Sequence, residues 1–362
     1  MIPSSDPRAK TRYIRAVRRP SILALTVSLA AWGCTSDNTS DSASSATEAG
    51  TETGGEAGAW QVELEAGTDI GALMSVWGPS ASEVYAVGGQ PSPSVGTILR
   101  FDGEGWASEA LPPDTAMLNW VYGVEGLVFT VGMDGTILTH ELGTDGPWTP
   151  EPSGTDRVLW GVWGASLAEL WAVGGDGFSD APLLLRRDGA TASWASVELP
   201  ELGVEAKGLF KVWGTAADDV WIVGDIGATL HYDGSEWTAH PTAGNIDIIS
   251  LWGSASEGIV AVGGRSSGRI ARFDGASWAE TVIDEPGLNG VWVDPAGPVT
   301  AVGVQGRILS IVPGTADYSL EPSPTTMVLH SVFGFEAGPR FAVGGSLLMA
   351  PPHVGIILRA DE

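Results

Sequence analysis

The chain has 362 residues, with 44 acidic and 18 basic side chains and a formal net charge of −26 at pH 7. A chain this acidic has no basic stripe for nucleic acid or anionic lipid headgroups, so both partners are disfavoured. Its single cysteine excludes an intramolecular disulfide.

Residues 1–33 are predicted to be an export signal outside the folded domain. Basic residues between Arg8 and Arg19 precede an apolar run, residues 21–31, that is too short to span a bilayer. The run ends in Gly33-Cys34, which resembles the lipobox of bacterial lipoproteins, so Cys34 is the predicted lipidation site. An ordinary cleaved signal with an incidental cysteine is the alternative.

Residues 34–59 are predicted to join Cys34 to the domain as a flexible tether. After Cys34 this segment contains Ser, Thr, Gly, Ala, Asn and acidic residues and no large apolar side chain. Such a coil spans about 25–30 Å. Thr35 after the cysteine, where the sorting pattern of such lipoproteins would place Asp for retention, favours the outer membrane. A periplasmic or secreted protein is the alternative. Because the leader carries six basic residues and one acidic residue, the mature chain has a net charge of about −31.

Residues 60–362 repeat one pattern seven times. A Val-Trp-Gly triplet or a close variant begins at positions 76, 121, 162, 212, 251, 291 and 332. Each is followed by an Ala-Val-Gly-like run, a run like Gly-Thr-Ile-Leu-Arg-Phe-Asp-Gly and, in most copies, a Trp that opens a fourth run. These runs are short, rich in β-branched and aromatic residues, and bounded by turn residues, so each copy predicts four strands. Intervals of 39 to 50 residues suit one propeller blade per copy. The predicted fold is an all-β, seven-bladed propeller of four-stranded antiparallel blades, in which stacking buries both apolar faces of each blade.

The two ends of the repeat are complementary. The seventh copy stops at residues 358–362 without a fourth strand, whereas residues 59–64 match the fourth strand of the first copy at 105–110. An N-terminal strand from Trp60 to Leu64 is therefore predicted to complete the last blade. That pairing removes an open sheet edge.

The turns before the fourth strands carry a family resemblance. The Asp-Gly-x-x-Trp segments at 102–106, 233–237 and 274–278 resemble bacterial Asp-box (BNR-type) repeats and photosystem II assembly factor-like propellers. Here Gly follows Asp directly, with one residue fewer before Trp than in the Asp-box. The resemblance implies the fold over nearly all of 60–361. It also implies that these Asp residues are structural and have no catalytic role.

The sequence favours a binding module over an enzyme. The tyrosines after the leader occupy repeat positions, and the histidines are scattered over different blades, so no catalytic residue, metal site or cofactor is predicted. Four arginines share one slot of the third strand, each two residues before an Asp, and predict polar pairs within that strand: Arg100, Arg186, Arg272 and Arg359. The alternative is a propeller enzyme acting at the central channel, either a glycoside hydrolase or a lyase that uses His330 or His353.

The predicted binding face is the rim that holds the links between second and third strands and between blades. Three of the former links are long, at residues 88–96, 174–182 and 344–355, and those of copies seven and one should be neighbours. Trp120 and Trp160 lie outside the repeat slots, just before the first strands of copies two and three, and Phe210 matches Trp160 in copy four.

Basic residues accompany these rings. Arg157, Lys207 and Lys211 are close in sequence, and the two lysines are the only ones after the leader. Aromatic stacking with charge-assisted bonds would suit a sugar, an acidic glycan or a protein ligand. Rings that merely plug the channel mouth are the alternative. We therefore expect an exported, membrane-anchored and monomeric binding propeller.

Overall fold

The computed structural model describes residues 58–176, 181–254, 257–295, 297–347 and 349–361. The predicted leader, Cys34 and all but the end of the tether lie outside these residues. Within them the chain forms seven four-stranded antiparallel sheets, one for each copy of the repeat. Sheet one contains β2 (Ala72–Ser80), β3 (Glu83–Pro91), β4 (Ser94–Phe101) and β5 (Trp106–Ser108); sheet two contains β6 (Leu118–Val124), β7 (Leu127–Gly132), β8 (Ile137–Glu141) and β9 (Thr149–Pro150); sheet three contains β10 (Leu159–Ser166), β11 (Glu169–Gly174), β12 (Leu183–Asp188) and β13 (Ser193–Ser196).

The remaining sheets follow the same order. Sheet four contains β14 (Leu209–Ala216), β15 (Asp219–Gly224), β16 (Thr229–Tyr232) and β17 (Trp237–Ala239); sheet five contains β18 (Ile248–Ser254), β19 (Gly258–Gly263), β20 (Arg269–Phe273) and β21 (Trp278–Val282); sheet six contains β22 (Leu288–Val293), β23 (Val299–Gly303), β24 (Ile308–Ile311) and β25 (Tyr318–Leu320). Sheet seven joins β26 (Leu329–Gly334), β27 (Arg340–Gly345) and β28 (Gly355–Ala360) to β1 (Gln61–Ala66). The seven-bladed propeller is confirmed.

The N-terminal strand closes the ring as predicted. Strand β1 pairs antiparallel with β28, with Gln61 opposite Arg359 and Ala66 opposite Gly355. Just before β1, the indole Nε1 of Trp60 donates to Glu321 Oε2 of the preceding blade at 2.6 Å. The last blade is thus bonded both to its own strand from the far end of the chain and to its neighbour.

The Val-Trp-Gly triplet has a packing reason. A Cβ on Gly123 would lie 2.1 Å from Cη2 of Trp77, so the glycine of one blade leaves room for the indole of the blade before it. The same relation joins Trp163 to Gly214. Interiors pack at close to crystal density, so a side chain at these glycines would push adjacent blades apart.

Turns at the second-to-third links divide into two kinds. Copies two, four and six have single 3-10 turns, at Met133–Gly135, Asp225–Gly227 and Val304–Gly306. Copy one has a long hairpin extension, and copies three and seven have longer links. None of the described helical segments is long and apolar enough to cross a membrane.

The structural role that the resemblance implies for the Asp residues of the Asp-Gly turns agrees with the geometry. Asp233 Oδ1 accepts the backbone N–H groups of Ser235 at 2.8 Å and Glu236 at 2.9 Å, and these bonds lower the pKa of Asp233 to about 2. Asp102 and Asp274 accept the equivalent pairs of N–H groups. Their carboxylates are occupied in holding the turns.

Candidate functional site

Seven first strands surround the propeller axis, and each has a bulge near its start. In copy three, Leu159 pairs with Gly174 and Gly161 pairs with Val173, so Trp160 is the extra residue. All seven copies have this register shift. The bulged residues form the rim ring: Met74, Asn119, Trp160, Phe210, Ile249, Asn289 and His330.

Two further rings follow along the first strands. The middle ring is the residue after each bulge, and each of its members faces a valine of the second strand: Ser75, Trp120, Gly161, Lys211, Ser250, Gly290 and Ser331. The floor ring lies two residues further on: Trp77, Tyr122, Trp163, Trp213, Trp252, Trp292 and Phe333. Floor-ring side chains contact one another around the axis, for example Trp77 with Tyr122 at 5.9 Å and with Phe333 at 6.3 Å between centroids.

The register corrects one prediction. Trp120 and Trp160 do not precede the first strands; they lie inside β6 and β10, because the bulge lets each strand begin earlier. Phe210 does match Trp160, since both are bulged. Trp120 occupies the position of Lys211 instead.

Trp120 and Lys211 meet across the blade between them. Lys211 Nζ lies 3.0 Å from the Trp120 ring centroid, a close cation–π contact. These residues belong to copies two and four, and copy three contributes Gly161 at the same level, which leaves the space free. Every other member of the middle ring is glycine or serine. The two large side chains therefore project into a space bounded by small ones.

The Lys211 side chain is buried, and none of the described residues supplies it with a counter-ion. It is 7 % exposed, and burial holds the pKa of its ammonium well below the usual value. Among the residues that the structure describes, no carboxylate pairs with Nζ and no group accepts a hydrogen bond from it. The Trp120 ring, itself 9 % exposed, is its one observed partner there.

Trp160 and Phe210 form a second aromatic pair in the rim ring. Their rings meet edge to face, with centroids 6.4 Å apart and planes at 85°. Trp160 Nε1 donates to the Gly175 carbonyl at 2.8 Å, which fixes the orientation of the indole. Both rings are half-buried, so part of each remains open to a ligand.

Arg157 and Lys207 lie on the links that lead into these strands. The Arg157 guanidinium donates to the Ala181 carbonyl of the long link of copy three. The backbone N–H of Lys207 donates to both carboxylate oxygens of Asp225 at 3.0 Å. Burial raises the pKa of Asp225. The structure thus brings Trp120 to Lys211 and Trp160 to Phe210, with Arg157 and Lys207 on the adjoining links.

The long links of copies seven and one touch, as predicted. Gln90 of copy one donates from Nε2 to the carbonyls of Thr68 at 2.9 Å and His353 at 2.8 Å. Its Oε1 accepts the backbone N–H of His353 at 2.9 Å. One glutamine side chain therefore ties these two links together.

The two histidines proposed for a lyase have carbonyl partners. His330 Nε2 lies 3.1 Å from the Gly345 carbonyl, and burial lowers the pKa of His330 to about 4. A neutral imidazole then donates to that carbonyl at pH 7. His353 Nδ1 lies 2.7 Å from the Ser346 carbonyl. Within the described ranges, no three His, Cys, Asp or Glu side chains cluster closely enough to hold a metal.

The arginines of the third strands do pair with acids, but the predicted pairing with the Asp two residues on is found, among the described residues, for Arg359 with Asp361 at 2.7 Å. The other three pair across to the second strand of their blade. Arg100 pairs with Glu83 at 3.3 Å, Arg186 with Glu169 at 2.6 Å and Arg272 with Glu257 at 3.0 Å. Each acid begins or immediately precedes the second strand of the same blade. These cations are therefore distributed around the ring and do not converge.

Two clefts outside the channel were not predicted. They measure about 450 and 410 Å³ and lie at equivalent places of copies two and six, each beside a 3-10 turn. A Glu-Pro-Ser-x-Thr link lines both, at residues 151–155 and 321–325. In both, the Ser hydroxyl donates to the Thr carbonyl at 3.1 Å. Both clefts therefore arise from the same link sequence, which occurs in copies two and six.

Comparison with known proteins supports the fold. No protein-family model matches the chain, and no curated protein matches it in sequence. Among solved structures it is similar to YCF48 bound to D1 peptide, with a TM-score of 0.61, 12 % identity, and coverage of 84 % of this chain and 97 % of that one. YCF48 from Cyanidioschyzon merolae gives 0.62 and 13 %, over 84 % and 98 %.

A bacterial structure is similar to the same extent. The extracellular domain of a putative one component system, BT4673 from B. thetaiotaomicron, has a TM-score of 0.61 at 10 % identity, over 83 % of this chain and 39 % of that one. The chain is a β-propeller that resembles photosystem II assembly factor-like propellers. At these identities the likeness shows the fold alone.

Proposed function

We propose that this chain is an exported, membrane-anchored propeller that binds a segment of another protein at the rim ring. The observation that carries the proposal is the Trp160–Phe210 pair, two half-buried rings at the bulges of β10 and β14, one residue before the middle ring. Aromatic rings of fixed orientation give a ligand large contact area at low entropic cost. Tryptophan and tyrosine with arginine dominate binding energy at protein interfaces.

The long links support a protein ligand over a small molecule. The links of copies one and seven are joined through Gln90. The link of copy three accepts a hydrogen bond from the Arg157 guanidinium, so the rim carries long links on three blades. The similar propeller YCF48 is recorded with a bound D1 peptide. A peptide lying across the rim could contact the links and insert a side chain between Trp160 and Phe210.

A binding screen with matched variants tests the proposal. The full chain would be screened against peptides of envelope proteins and, in parallel, against a glycan array. Trp160→Ala and Phe210→Ala should each weaken the recovered interaction tenfold or more, as for removal of interface anchors. Ile249→Ala is the matched control, because Ile249 is also bulged and half-buried but lies on copy five. Equal losses in all three variants, or recovery of glycans alone, would refute a peptide site at the aromatic pair.

The anchoring part of the proposal rests on the leader and Cys34. Two or more acyl chains hold a protein stably at a membrane, whereas one alone is marginal. Mass spectrometry of the native N-terminus should find a lipidated Cys34, and Cys34→Ser should release the protein from membranes. A mature form that begins elsewhere would contradict lipid anchoring and leave the binding proposal untouched.

A further inference from the structure

We propose that the middle ring is a carboxylate site in which Lys211 binds an acidic group of the ligand that enters between Trp160 and Phe210. This deepens the proposed function and rests on it for the source of the carboxylate. The geometry consists of a buried lysine in the middle ring, a Trp120 ring centroid 3.0 Å from its ammonium, and serine or glycine at the other five positions of that ring.

Burial of the charged Lys211 side chain costs free energy. Charged side chains are almost never buried unless paired, because the lost hydration must be replaced by hydrogen bonds or an opposite charge. The Trp120 ring replaces part of it. Nothing in the described part of the chain supplies the anion. A partner that brings a carboxylate would complete the coordination of the ammonium.

The middle ring contains a set of hydroxyl donors. Ser250 holds the same ring position on the adjacent blade, and Ser331 and Ser75 hold it on copies seven and one. The Ser75 hydroxyl accepts the N–H of Val121 at 3.3 Å, which leaves its own proton to donate. The Ser250 and Ser331 hydroxyls have no hydrogen bond to any described residue. Hydroxyls of this kind can complete the shell of a carboxylate.

The charge of the middle ring matches the charge of a carboxylate better than that of a phosphate. The middle ring offers one cation, and a carboxylate carries one negative charge. A phosphate group carries about −1.5 to −2 at pH 7, so part of its charge would remain buried and unpaired in a protein that is already strongly acidic. A carboxylate is therefore the anion that this site favours.

The charged groups on the elements around Lys211 have partners of their own. Strands β6, β10 and β18 carry no acidic or basic residue, and the Tyr122 phenol of β6 has its pKa raised to about 12 by burial. On β15, Asp219 hydrogen-bonds His231 at the far end of the strand. Asp225 and Asp247 at the rim are bonded to backbone N–H groups, and Asp247 also to Arg265.

The test uses small probes with the full chain. N-acetylphenylalanine carries a C-terminal carboxylate, N-acetylglutamate α-amide carries a side-chain carboxylate, and N-acetylphenylalaninamide is the neutral match of the first. With ¹³Cε-labelled lysine the chain gives few signals, because Lys10, Lys207 and Lys211 are its only lysines. The Lys207→Arg variant assigns them. Whichever acid moves the Lys211 signal identifies the source of the carboxylate.

We expect an acid probe to shift the Lys211 signal and to raise its midpoint of titration by one pH unit or more. The amide should do neither, and binding of the acid should weaken as pH rises and the ammonium loses its proton. Lys211→Met should lose the preference for acid over amide, whereas Lys207→Met should keep it. The comparison of acid with amide in the unaltered chain requires no variant to fold.

The outcomes separate the two proposals. If acid and amide act alike on Lys211, or if Lys211→Met keeps the preference for acid, the carboxylate site is wrong. If peptides are recovered through Trp160 and Phe210 without any preference for acid, the proposed function stands and the carboxylate site is overturned. If the acid preference depends on Lys211 but no protein segment is recovered, the site stands and the proposed function fails.

Discussion

A cation lies against a tryptophan in two different settings in this propeller. At the junction of copies six and seven, the Arg340 guanidinium lies 5.1 Å from the Trp60 ring centroid, and Glu321 bonds both Arg340 at 3.1 Å and the Trp60 indole at 2.6 Å. In the middle ring, Lys211 lies on Trp120 with no acid beside it among the described residues. The first arrangement is complete in itself, and the second lacks an anion.

A second junction also holds a cation, an acid and an indole together, although its guanidinium lies over the Phe129 ring, 5.3 Å from the centroid. At the junction of copies two and three, Glu151 binds Arg187 through two hydrogen bonds, at 2.7 and 2.9 Å, and accepts the Trp194 indole N–H at 2.8 Å. In both sets the glutamate is the first residue of the Glu-Pro-Ser link, and it bonds one tryptophan and one arginine. We call these sets the Glu–Trp–Arg junctions. At both junctions the chain places a glutamate beside the arginine. The absence of an acid beside Lys211 among the described residues is what points to a ligand.

Removal of the closing strand should have the largest effect. Deletion of residues 35–70 takes away Trp60 and β1, so it leaves the edge of β28 unpaired and Arg340 without its indole. Deletion of residues 35–55 removes only the predicted tether and should change little. The denaturation midpoints of the two truncated chains measure the difference. Equal stability would contradict closure by β1.

Loss of one acid at a Glu–Trp–Arg junction comes next. Glu151→Ala leaves Arg187 buried without a counter-ion, since its side chain is 6 % exposed. Breaking a buried pair from one side costs about 3–5 kcal/mol of unfolding free energy. Glu169→Ala is the matched control, because its partner Arg186 is 47 % exposed and surface pairs contribute about 0–1 kcal/mol. Similar losses in urea titrations of both variants would show that the junction is not a buried ion pair.

The fold could be predicted from the sequence because each element recurs. Seven copies of the Val-Trp-Gly triplet or a close variant and a spare N-terminal strand leave one way to close the ring, and β1 pairs with β28 accordingly. The long links of copies one and seven could be placed for the same reason. An irregular site has no such redundancy.

The site could be predicted only in part. Trp120 and Trp160 were aligned by residue type, but the bulge places Trp160 in the rim ring and Trp120 one position further on. A signal was present: the residue before each triplet is Ser or Gly in five copies and Trp or Lys in the other two. The contact itself spans two blades and depends on Gly161 between them, which no local pattern indicates.

His330 provides a comparison with Lys211 near the axis. It is a half-buried titratable group with a carbonyl partner and, among the described residues, no charged one, and loss of hydration lowers its pKa from 6.5 to about 4. Between these values the unfolded chain binds more protons, so stability should fall as pH decreases from 6.5 to 4. The loss due to His330 should be about 2 kcal/mol, after allowance for its partial exposure. The His330→Gln variant should lose less stability over this range, and an unchanged pH dependence would contradict the neutral imidazole.

Lys211→Met should have the smallest effect on stability, and it should stabilise the chain where the changes above destabilise it. Methionine has a similar shape and needs no counter-ion, so at neutral pH the variant should be more stable by about 1–2 kcal/mol. The folded-state pKa of Lys211 lies below its value of 10.5 in the unfolded chain, so the penalty is largest at low pH and fades as pH approaches 10.5. Denaturation of both chains from pH 6 to pH 10 measures it. A gain in stability combined with loss of the acid probe would mean that the chain retains a destabilising lysine for binding. A stability loss at every pH would instead make Lys211 a structural residue held by Trp120, equivalent to Arg340 on Trp60.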